Sequence, residues 1–305
     1  MKETKIMPYF NPTIDVIYLA RGIDWNIKTV KNFFESYKKY SAGYEHNLII
    51  AAKAWEDKPD EYNELENVAK EVNAKIINLP DDGFDFGAYY RVAKISKSNF
   101  IFSISTSSEI QCDNWLHKFI EPINKNKNYQ LVGSYGAWEI CPTKYNYLKM
   151  NLDKQYEHTN KHIKISYGFK KLKIFFQTIK EQIGKQKYPN YSVRSNCYLM
   201  DRELYIDFIE KGHKGNLPKD KFDAYKMENG PKGMSNFVIK QDYDFCVVGK
   251  NGEIYTKEKF KNSGTYRSKF KNYIIKDKQI RNYEDADAPM QKLLEKICWG
   301  DNDAK

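Results

Sequence analysis

Cysteine is scarce in this chain of 305 residues, and its few cysteines are far apart. The five are Cys112, Cys141, Cys197, Cys246 and Cys298. Their odd number, the lack of a Cys-x-x-Cys pair and the lack of clustered histidines argue against a disulfide framework and a zinc site. No apolar run approaches the roughly 20 residues that span a bilayer. No N-terminal segment resembles a signal peptide, so we expect a cytoplasmic protein.

Two common nucleotide-binding motifs are also missing. The chain has neither the Gly-x-Gly-x-x-Gly loop of nicotinamide-dependent enzymes nor a Gly-x-x-x-x-Gly-Lys-[Ser/Thr] P-loop. A dehydrogenase and a P-loop NTPase are therefore disfavoured. The composition, 41% hydrophobic and 30% charged, is that of a globular protein.

Positive charge is in excess, and most of that excess lies in one segment. The formal net charge is +10, and residues 144–187 hold 11 lysines against only Asp153, Glu157 and Glu181. A basic surface suits anionic partners, but no nucleic-acid-binding motif is present, and we expect no nucleic acid. Residues 163–183 have the apolar spacing of an amphipathic helix. That helix would lie on the inner membrane surface or, as we favour, pack on its own domain or on a second copy.

Apolar runs alternate with helical patterns from residue 14 onwards. The predicted strands of the first half are 14–20, 47–52, 75–79, 100–104 and 131–133. This alternation predicts the α/β class, with a mostly parallel sheet flanked by helices, which the later strands join. We predict one catalytic domain over 1–305, with a Lys-rich amphipathic insertion at 141–187 and a C-terminal extension at 251–305.

Residues 79–91 form the most informative stretch of the chain. They follow a predicted buried strand and lead into a helix predicted to start at Ala88. Gly83 and Gly87 would let the backbone approach a ligand closely, and the carboxylates of Asp82 and Asp85 would accept hydrogen bonds from sugar or ribose hydroxyls. A turn with a helix cap explains the same residues about equally well.

Three further groups of polar residues lie at the ends of predicted strands or helices. Ser105, Thr106 and Ser107 come after the fourth strand, where their hydroxyls would bind a diphosphate or cap a helix. Arg194 and Asn196 begin a later strand, and arginine suits a phosphate or a surface salt bridge. Glu228 ends a helix before a Gly-Pro break, where it would be a general base or a solvated carboxylate.

The order and spacing of these segments resemble the bacterial GT-A glycosyltransferases of the family-2-like and rhamnan-synthesis-like group. The resemblance covers roughly residues 14–139 and 189–250. It implies a GT-A (Rossmann-like) fold and transfer of a sugar from a nucleotide-diphospho-sugar. The acceptor would be a hydroxyl of a surface polysaccharide or a lipid-linked glycan.

The resemblance also implies a role for each candidate residue. The donor would contact Arg21, Gly22, Asp82, Gly83, Asp85, Gly87, Ser105, Thr106, Ser107, Arg194 and Asn196. By position, Glu228 would be the catalytic base of an inverting reaction. Trp138 and Glu139, at the end of the fifth strand, are predicted to contact the acceptor. The donor nucleotide would be UDP, GDP, CDP or dTDP.

One departure from that group concerns the metal ion. Its members usually carry Asp-x-Asp after the fourth strand, whereas this chain has Ser105-Thr106-Ser107. A carboxylate pair to hold a divalent cation is therefore missing there. We expect a metal-independent enzyme in which lysine or arginine neutralises the leaving diphosphate. The alternatives are use of Glu109 and Asp85 as ligands, transfer of a phosphorylated group other than a sugar, and a non-catalytic protein that binds nucleic acid or another anion.

Overall fold

The computed structural model describes residues 11–23, 26–141 and 187–300. The predicted amphipathic helix at 163–183 lies outside these residues, as does nearly all of the predicted insertion. The strands are β1 (Ile14–Arg21), β2 (Asn47–Lys53), β3 (Lys75–Asn78), β4 (Phe100–Ile104), β5 (Glu109–Ile110), β6 (Tyr129–Gly133), β7 (Gly136–Ala137), β8 (Ser192–Val193), β9 (Cys197–Asp201), β10 (Asp244–Val248), β11 (Ile254–Thr256) and β12 (Ile275–Lys276). The helices are α1 (Ile27–Lys39), α2 (Pro59–Glu71), α3 (Phe84–Ile95), α4 (Trp115–Lys125), α5 (Arg202–Asp207), α6 (Lys221–Asn229), α7 (Met234–Lys240), α8 (Lys278–Glu284) and α9 (Ala288–Trp299).

Eight of the strands form one sheet in the order β11-β10-β6-β9-β4-β1-β2-β3. The pairings are parallel except those made by β9 and β11, which run antiparallel to their neighbours. The predicted α/β class, with a mostly parallel sheet flanked by helices, is confirmed. The later strands β9 and β10 also join the first sheet, as expected.

The central strands are hydrophobic along their whole length because helices cover both faces of the sheet. All but the last residue of β1 is buried. On one side, Val30, Phe33 and Phe34 of α1 are buried against it, and the ring of Phe33 stacks on Tyr18 of β1 at a centroid distance of 3.9 Å. Parallel strands covered in this way leave their carboxyl ends as the natural place for a ligand.

The C-terminal part of the chain packs into the same core. Strand β12 pairs with β5, so that Ile275 lies opposite Ile110. Ile274, Ile275 and Trp299 belong to the continuous hydrophobic core that includes the central strands. Within the described residues, the segment predicted as a C-terminal extension therefore supports the loops at the carboxyl ends of the strands.

Helix α3 begins four residues earlier than predicted. Gly83 has φ +65° and caps the helix, which runs from Phe84, so Asp85 and Gly87 lie in its first turn instead of in a loop before it. Glycine is favoured at such a φ because it lacks a Cβ. A short helix, α8, was not predicted, because only Ile280 and Tyr283 among its residues are buried.

None of the described helices is long and apolar enough to cross a membrane.

Candidate functional site

A cleft of about 900 Å³ opens at the carboxyl ends of the central strands. Its walls come from the end of β1, the turn between β3 and α3, the turn after β4, the turn before β9, the loop before α6 and the start of α8. The residues that line it are Leu19, Arg21, Asp81, Asp82, Gly83, Phe84, Asp85, Ser105, Thr106, Ser107, Asn196, Gly215, Asn216, Leu217, Pro218, Lys219, Lys221, Lys278 and Gln279. Eight of the predicted donor-binding residues are among them: Arg21, Asp82, Gly83, Asp85, Ser105, Thr106, Ser107 and Asn196.

The side chain of Lys53, the last residue of β2, stabilises the turn between β3 and α3. Its side chain is 1% exposed, and Nζ donates to the carbonyl oxygens of Asp82 at 2.9 Å and Phe84 at 3.0 Å. The same ammonium lies 3.5 Å from Oδ1 of Asp81. Burial lowers the pKa of Lys53, while Asp81 raises it. One buried lysine thus fixes the backbone that carries the cleft's three aspartates.

Phe84 is held in a conformation that a phenylalanine rarely adopts. Its φ is +52°, which is a strained value for a residue with a bulky side chain. The ring is nevertheless 37% exposed and lines the cleft. An aromatic ring at a cleft wall, supported by a strained backbone, is suited to stack on a flat or amphipathic ligand.

The three aspartates of the turn differ in their partners. Asp81 accepts two hydrogen bonds from the guanidinium of Arg21, at 2.7 and 2.6 Å, and Asp82 pairs with Arg91 at 2.7 Å. Asp85 forms no ion pair with a described residue. Burial raises its pKa to about 6, with a further upward contribution from Glu228 and opposing ones from its own backbone N–H, Lys53 and Arg21. Asp85 is therefore the carboxylate best placed to exchange a proton near neutral pH.

The turn after β4 presents hydroxyl groups and is fastened from two sides. The buried hydroxyl of Tyr18 donates to the carbonyl oxygen of Thr106 at 2.7 Å, and Arg281 of α8 donates to that of Ser107. The hydroxyls of Ser105 and Ser108 lie 3.0 Å apart. Hydrogen bonds to its backbone carbonyl oxygens thus position the turn.

Asn196 reaches the cleft from the turn that joins β8 to β9. Its side-chain amide donates to Asp277, which also caps α8 by accepting from the backbone N–H of Ile280 at 2.9 Å. Burial raises the pKa of Asp277. This contact ties the first residues of α8, Lys278 and Gln279, to the edge of the cleft.

Three lysines of the cleft were not predicted as site residues: Lys219, Lys221 and Lys278. All three are exposed, and among the described residues neither Lys219 nor Lys221 has a salt-bridge partner. They come from the loop before α6, the start of α6 and the start of α8. The sequence signals that mark these helix starts are their N-cap residues, Asp220 and Asp277.

Arg194 and Glu228 lie in a buried network and do not line the cleft. Arg194 donates to Glu139 at 3.0 Å and pairs with Glu228 at 3.1 Å. Glu228 also accepts from the backbone N–H of Ser195 at 2.7 Å and from its hydroxyl at 3.1 Å. Burial alone would lower the pKa of Arg194, but the two glutamates raise it. Both oxygens of Glu228 are occupied, and the carboxylate holds the β8–β9 turn.

The remaining predicted residues, Gly22, Gly87, Trp138 and Glu139, also lie away from the cleft lining. A Cβ at Gly22 would be 2.5 Å from the carbonyl oxygen of Ala54, and one at Gly87 would be 2.9 Å from Arg91. These glycines thus serve close packing within the protein. The hydroxyl of Tyr225 donates to Glu139. Trp138 donates from Nε1 to the carbonyl oxygen of Lys257 at 2.9 Å.

Among the described residues, no group of three His, Cys, Asp or Glu side chains is placed to hold a metal ion. Glu109, which was considered as a substitute ligand, pairs with Arg281 at 2.9 Å. Asp81 and Asp82 are paired with arginines as described above. Of the two carboxylates considered as substitute ligands, Glu109 is thus engaged by an arginine, whereas Asp85 lines the cleft.

Comparison with known proteins finds no matching family model and no matching curated protein. Among solved structures, the chain is similar to 4-diphosphocytidyl-2C-methyl-D-erythritol synthase from Anaerococcus prevotii (TM-score 0.44, 11% identity, 78% of this chain and 88% of that one). It is also similar to a mannosyltransferase from Pyrobaculum calidifontis in complex with GDP-Man and Mn²⁺ (0.44, 8%, 78% and 55%). A third is mannosyl-3-phosphoglycerate synthase from Rubrobacter xylanophilus (0.35, 13%, 63% and 55%).

The chain spans about half the length of the last two of these proteins. With TM-scores below 0.5 and identities near 10%, the likenesses assign neither a family nor a substrate.

Replacing Lys53 by methionine is expected to destabilise the fold. The variant removes the donor to two partly buried carbonyl groups, and an unsatisfied buried group costs about 1–3 kcal/mol. We expect a loss of about 2 kcal/mol or more in the free energy of unfolding, measured by urea denaturation. Lys75→Met, at the exposed start of β3, is the matched control and should change it by less than about 0.5 kcal/mol. Equal stability of the two variants would contradict the role given to Lys53.

The ion pairs of Arg194 with Glu139 and Glu228 predict that replacing Arg194 destabilises the fold more than replacing Glu228. Arg194→Met leaves two buried carboxylates without their cation, and breaking a buried pair in this way costs about 3–5 kcal/mol. Glu228→Gln keeps the pair between Arg194 and Glu139, and its amide oxygen still accepts from Ser195. We expect it to cost less than half as much in urea denaturation. A larger loss for Glu228→Gln than for Arg194→Met would show that the network is wrongly described.

Proposed function

We propose that the cleft binds a nucleotide-diphospho-sugar and transfers the sugar to a hydroxyl group of a glycan acceptor. The observation that supports this most directly is the combination of side chains in one cleft. The turn before α3 contributes Asp82, and the first residues of α3 contribute Phe84 and Asp85. Three lysines come from the loop before α6, the start of α6 and the start of α8. The cleft lies beyond the carboxyl ends of parallel strands, where α/β sheets bind ligands.

Each part of such a donor has a chemically matched group in the cleft. The lysines Lys219, Lys221 and Lys278 suit the negative charge of a diphosphate, since each ammonium supplies three donors. The carboxylates of Asp82 and Asp85 suit the hydroxyls of the ribose or the transferred sugar. The ring of Phe84 suits a base or the apolar face of a sugar. A ligand that combines all three features is a nucleotide sugar.

The side chains present support charge neutralisation by lysine instead of a metal ion. In sugar transfer, the bond between the anomeric carbon and the diphosphate oxygen breaks, and the diphosphate leaves with the electron pair. Preorganised cations stabilise that developing charge. We assign this role to Lys219, Lys221 and Lys278, which line the cleft.

We assign Asp85 as the general base that accepts the proton of the acceptor hydroxyl. The acceptor oxygen attacks the anomeric carbon as its proton passes to a carboxylate, and this single displacement inverts the configuration of the sugar. Asp85 lines the cleft and has a pKa of about 6, so it is ionised at neutral pH. Glu228, the base implied by the resemblance, has both oxygens engaged and is 5% exposed. We therefore assign Glu228 to positioning Arg194 and the turn that carries Asn196.

Binding of donor nucleotides tests the proposal directly. We expect one of the UDP-, GDP-, CDP- or dTDP-sugars to raise the melting temperature without Mn²⁺, with little added by the metal. Lys278→Met should weaken that binding tenfold or more in calorimetry because it removes a cation from the diphosphate. Lys75→Met, at the opposite edge of the sheet, should leave it unchanged.

The mass of the product separates the rival reactions. A glycan acceptor that gains the mass of one sugar supports sugar transfer, and gain of a phosphorylated group would show the other transferase class. Failure of every nucleotide and nucleotide sugar to bind would overturn the assignment of the cleft. Binding of nucleic acid alone would show the non-catalytic alternative.

The pH dependence of turnover follows from the raised pKa of Asp85. In the free enzyme the group is neutral below about pH 6 and a carboxylate above it. A proton acceptor works only as the carboxylate, so kcat/KM should rise with pH through a midpoint near 6. Asp85→Asn should lower kcat by about 100-fold or more and remove that midpoint. Glu228→Gln should keep it. The reverse pattern would return the role of base to Glu228.

A further inference from the structure

A second cavity, of about 580 Å³, adjoins the cleft along the loop of residues 213–219, which precedes α6. Four residues of this loop line both cavities: Asn216, Leu217, Pro218 and Lys219. The volume is in the range of cavities that bind small molecules. A ligand of the second cavity would therefore be a direct neighbour of a ligand in the cleft.

Leu217 brings the second cavity close to the proposed general base. A Cβ at Gly83 would lie 3.0 Å from the Leu217 side chain, and one at Gly87 would lie 3.3 Å from it. These glycines flank Asp85 in the chain, so Leu217 packs on the helix start that carries Asp85. Because Leu217 also lines the second cavity, a single side chain separates that cavity from the first turn of α3.

The charged residues that line the second cavity are three lysines and one aspartate: Lys219, Lys226, Lys232 and Asp223. Asp223 pairs with Lys226 at 2.9 Å and accepts from the backbone N–H of Lys219 at 3.3 Å. Lys219 and Lys232 are exposed, and neither has a salt-bridge partner within the described parts of the chain. The lining therefore carries two positive charges in excess.

The acidic residues that are nearest in the chain have partners of their own. Asp220 caps α6 by accepting from the backbone N–H of Asp223 at 2.8 Å. Glu228 is buried in its ion pair with Arg194. Neither carboxylate lines the second cavity, so the excess of positive charge remains.

His213 lies within the same positive environment. Its ring packs edge-on against Phe208 at a centroid distance of 4.9 Å, and Nε2 donates to the carbonyl oxygen of Lys232 at 3.0 Å. Burial lowers the pKa of His213, the hydrogen bond to the backbone raises it, and the charges of Lys232 and Lys226 lower it. Both ammonium groups thus act on one point of the lining, where a bound anion would offset them.

The rest of the lining is mainly apolar and comprises Leu217, Pro218, Met227 and Pro231, with Asn216 as a polar member. A matching ligand carries an anionic group for the lysines and a less polar carbon skeleton for these side chains. Phosphate is suited to the lysines because its oxygens accept charge-assisted hydrogen bonds from ammonium groups. A phosphate ester combines both features.

We propose that the second cavity binds the phosphate group of a phosphorylated acceptor. Lys219 and Lys232 would contact the phosphate, and the apolar lining would contact the carbon skeleton beside it. The role of this ligand as acceptor rests on the proposed function, in which its hydroxyl would reach Asp85 past Leu217. Two sources share this chemistry, namely a soluble sugar phosphate and the phosphate of a polyprenyl lipid.

Calorimetry on the full chain without donor tests the phosphate site. The probes are glucose 1-phosphate and farnesyl monophosphate, with glucose as the probe that lacks phosphate and should not bind. The phosphate probe that binds more tightly identifies the source. Lys232→Met should weaken its binding at least about tenfold, because the variant removes a charge-assisted donor. Melting temperatures check that each variant folds.

Lys214→Met is the matched control for this measurement. Lys214 is exposed in the same loop and lines neither cavity. Its charge is screened by salt, so the variant should bind the phosphate probe within about twofold of the wild type.

Variants of the cleft show which cavity holds the probe. Lys278→Met should weaken binding of the nucleotide sugar and leave binding of the phosphate probe unchanged, whereas Lys232→Met should do the reverse. The phosphate probe should also raise the pKa of His213 in an NMR titration, because the bound anion offsets the two lysines. The signal of this ring is identified by its loss in His213→Gln.

Three results would overturn the phosphate site. They are failure of both phosphate probes to bind, equal affinity of the wild type and Lys232→Met, and weaker binding of the probe by Lys278→Met in place of Lys232→Met. If the probe binds through Lys232 but no nucleotide sugar binds, the phosphate site stands and the proposed sugar transfer fails. The two proposals can therefore fail separately.

Discussion

The candidate site depends on one buried ammonium group at the end of β2. Lys53 gives its hydrogen bonds to the carbonyl oxygens of Asp82 and Phe84 and lies beside the carboxylate of Asp81. A buried cation is costly unless it is paired and hydrogen-bonded, so its contacts fix the turn in a single arrangement. That arrangement includes the strained backbone of Phe84. The strain is tolerated because Lys53 and the glycine at 83 over-determine the turn.

The other side of the cleft is organised by buried polar groups from distant parts of the chain. Arg194 joins Glu139 and Glu228, and its guanidinium lies 5.9 Å from the ring centroids of Tyr225 and Tyr266. This network sets the turn between β8 and β9, from which Asn196 contacts Asp277. Asp277 in turn fixes the start of α8 and its lysine. The buried charges thus act on the cleft indirectly, by placing the backbone that lines it.

The sheet could be predicted from sequence because its strands are local apolar runs. Arg21, Asp85 and Ser105 were placed correctly at one edge of it, since the carboxyl ends of parallel strands meet there. The lysines of the cleft could not be placed, because their elements reach the cleft only through tertiary packing. Leu217, which lies in the same loop as Lys219, illustrates this. It packs so closely on Gly83 that a Cβ at position 83 would lie 3.0 Å from the Leu217 side chain. The local pattern around Leu217 contains nothing that indicates that contact.

The buried ion network was missed for a related reason. Arg194 lies 55 residues from Glu139 along the chain, and a sequence pattern does not distinguish a carboxylate that faces a ligand from one that faces a buried arginine. Arg194 was therefore given a role on the donor and Glu228 the role of the base, although the two form an ion pair with each other.

The carboxylates in and near the cleft differ in the positive charges that oppose them. The negative charge of Glu228 is matched by Arg194, and that of Asp81 by Arg21 and Lys53. Asp85 forms no ion pair with a described residue, and burial raises its pKa to about 6. In the proposed reaction, lysines at the rim would attract the diphosphate and leave the carboxylate of Asp85 available to accept a proton. In the proposed reaction, charge neutralisation and proton transfer are thus given to different side chains.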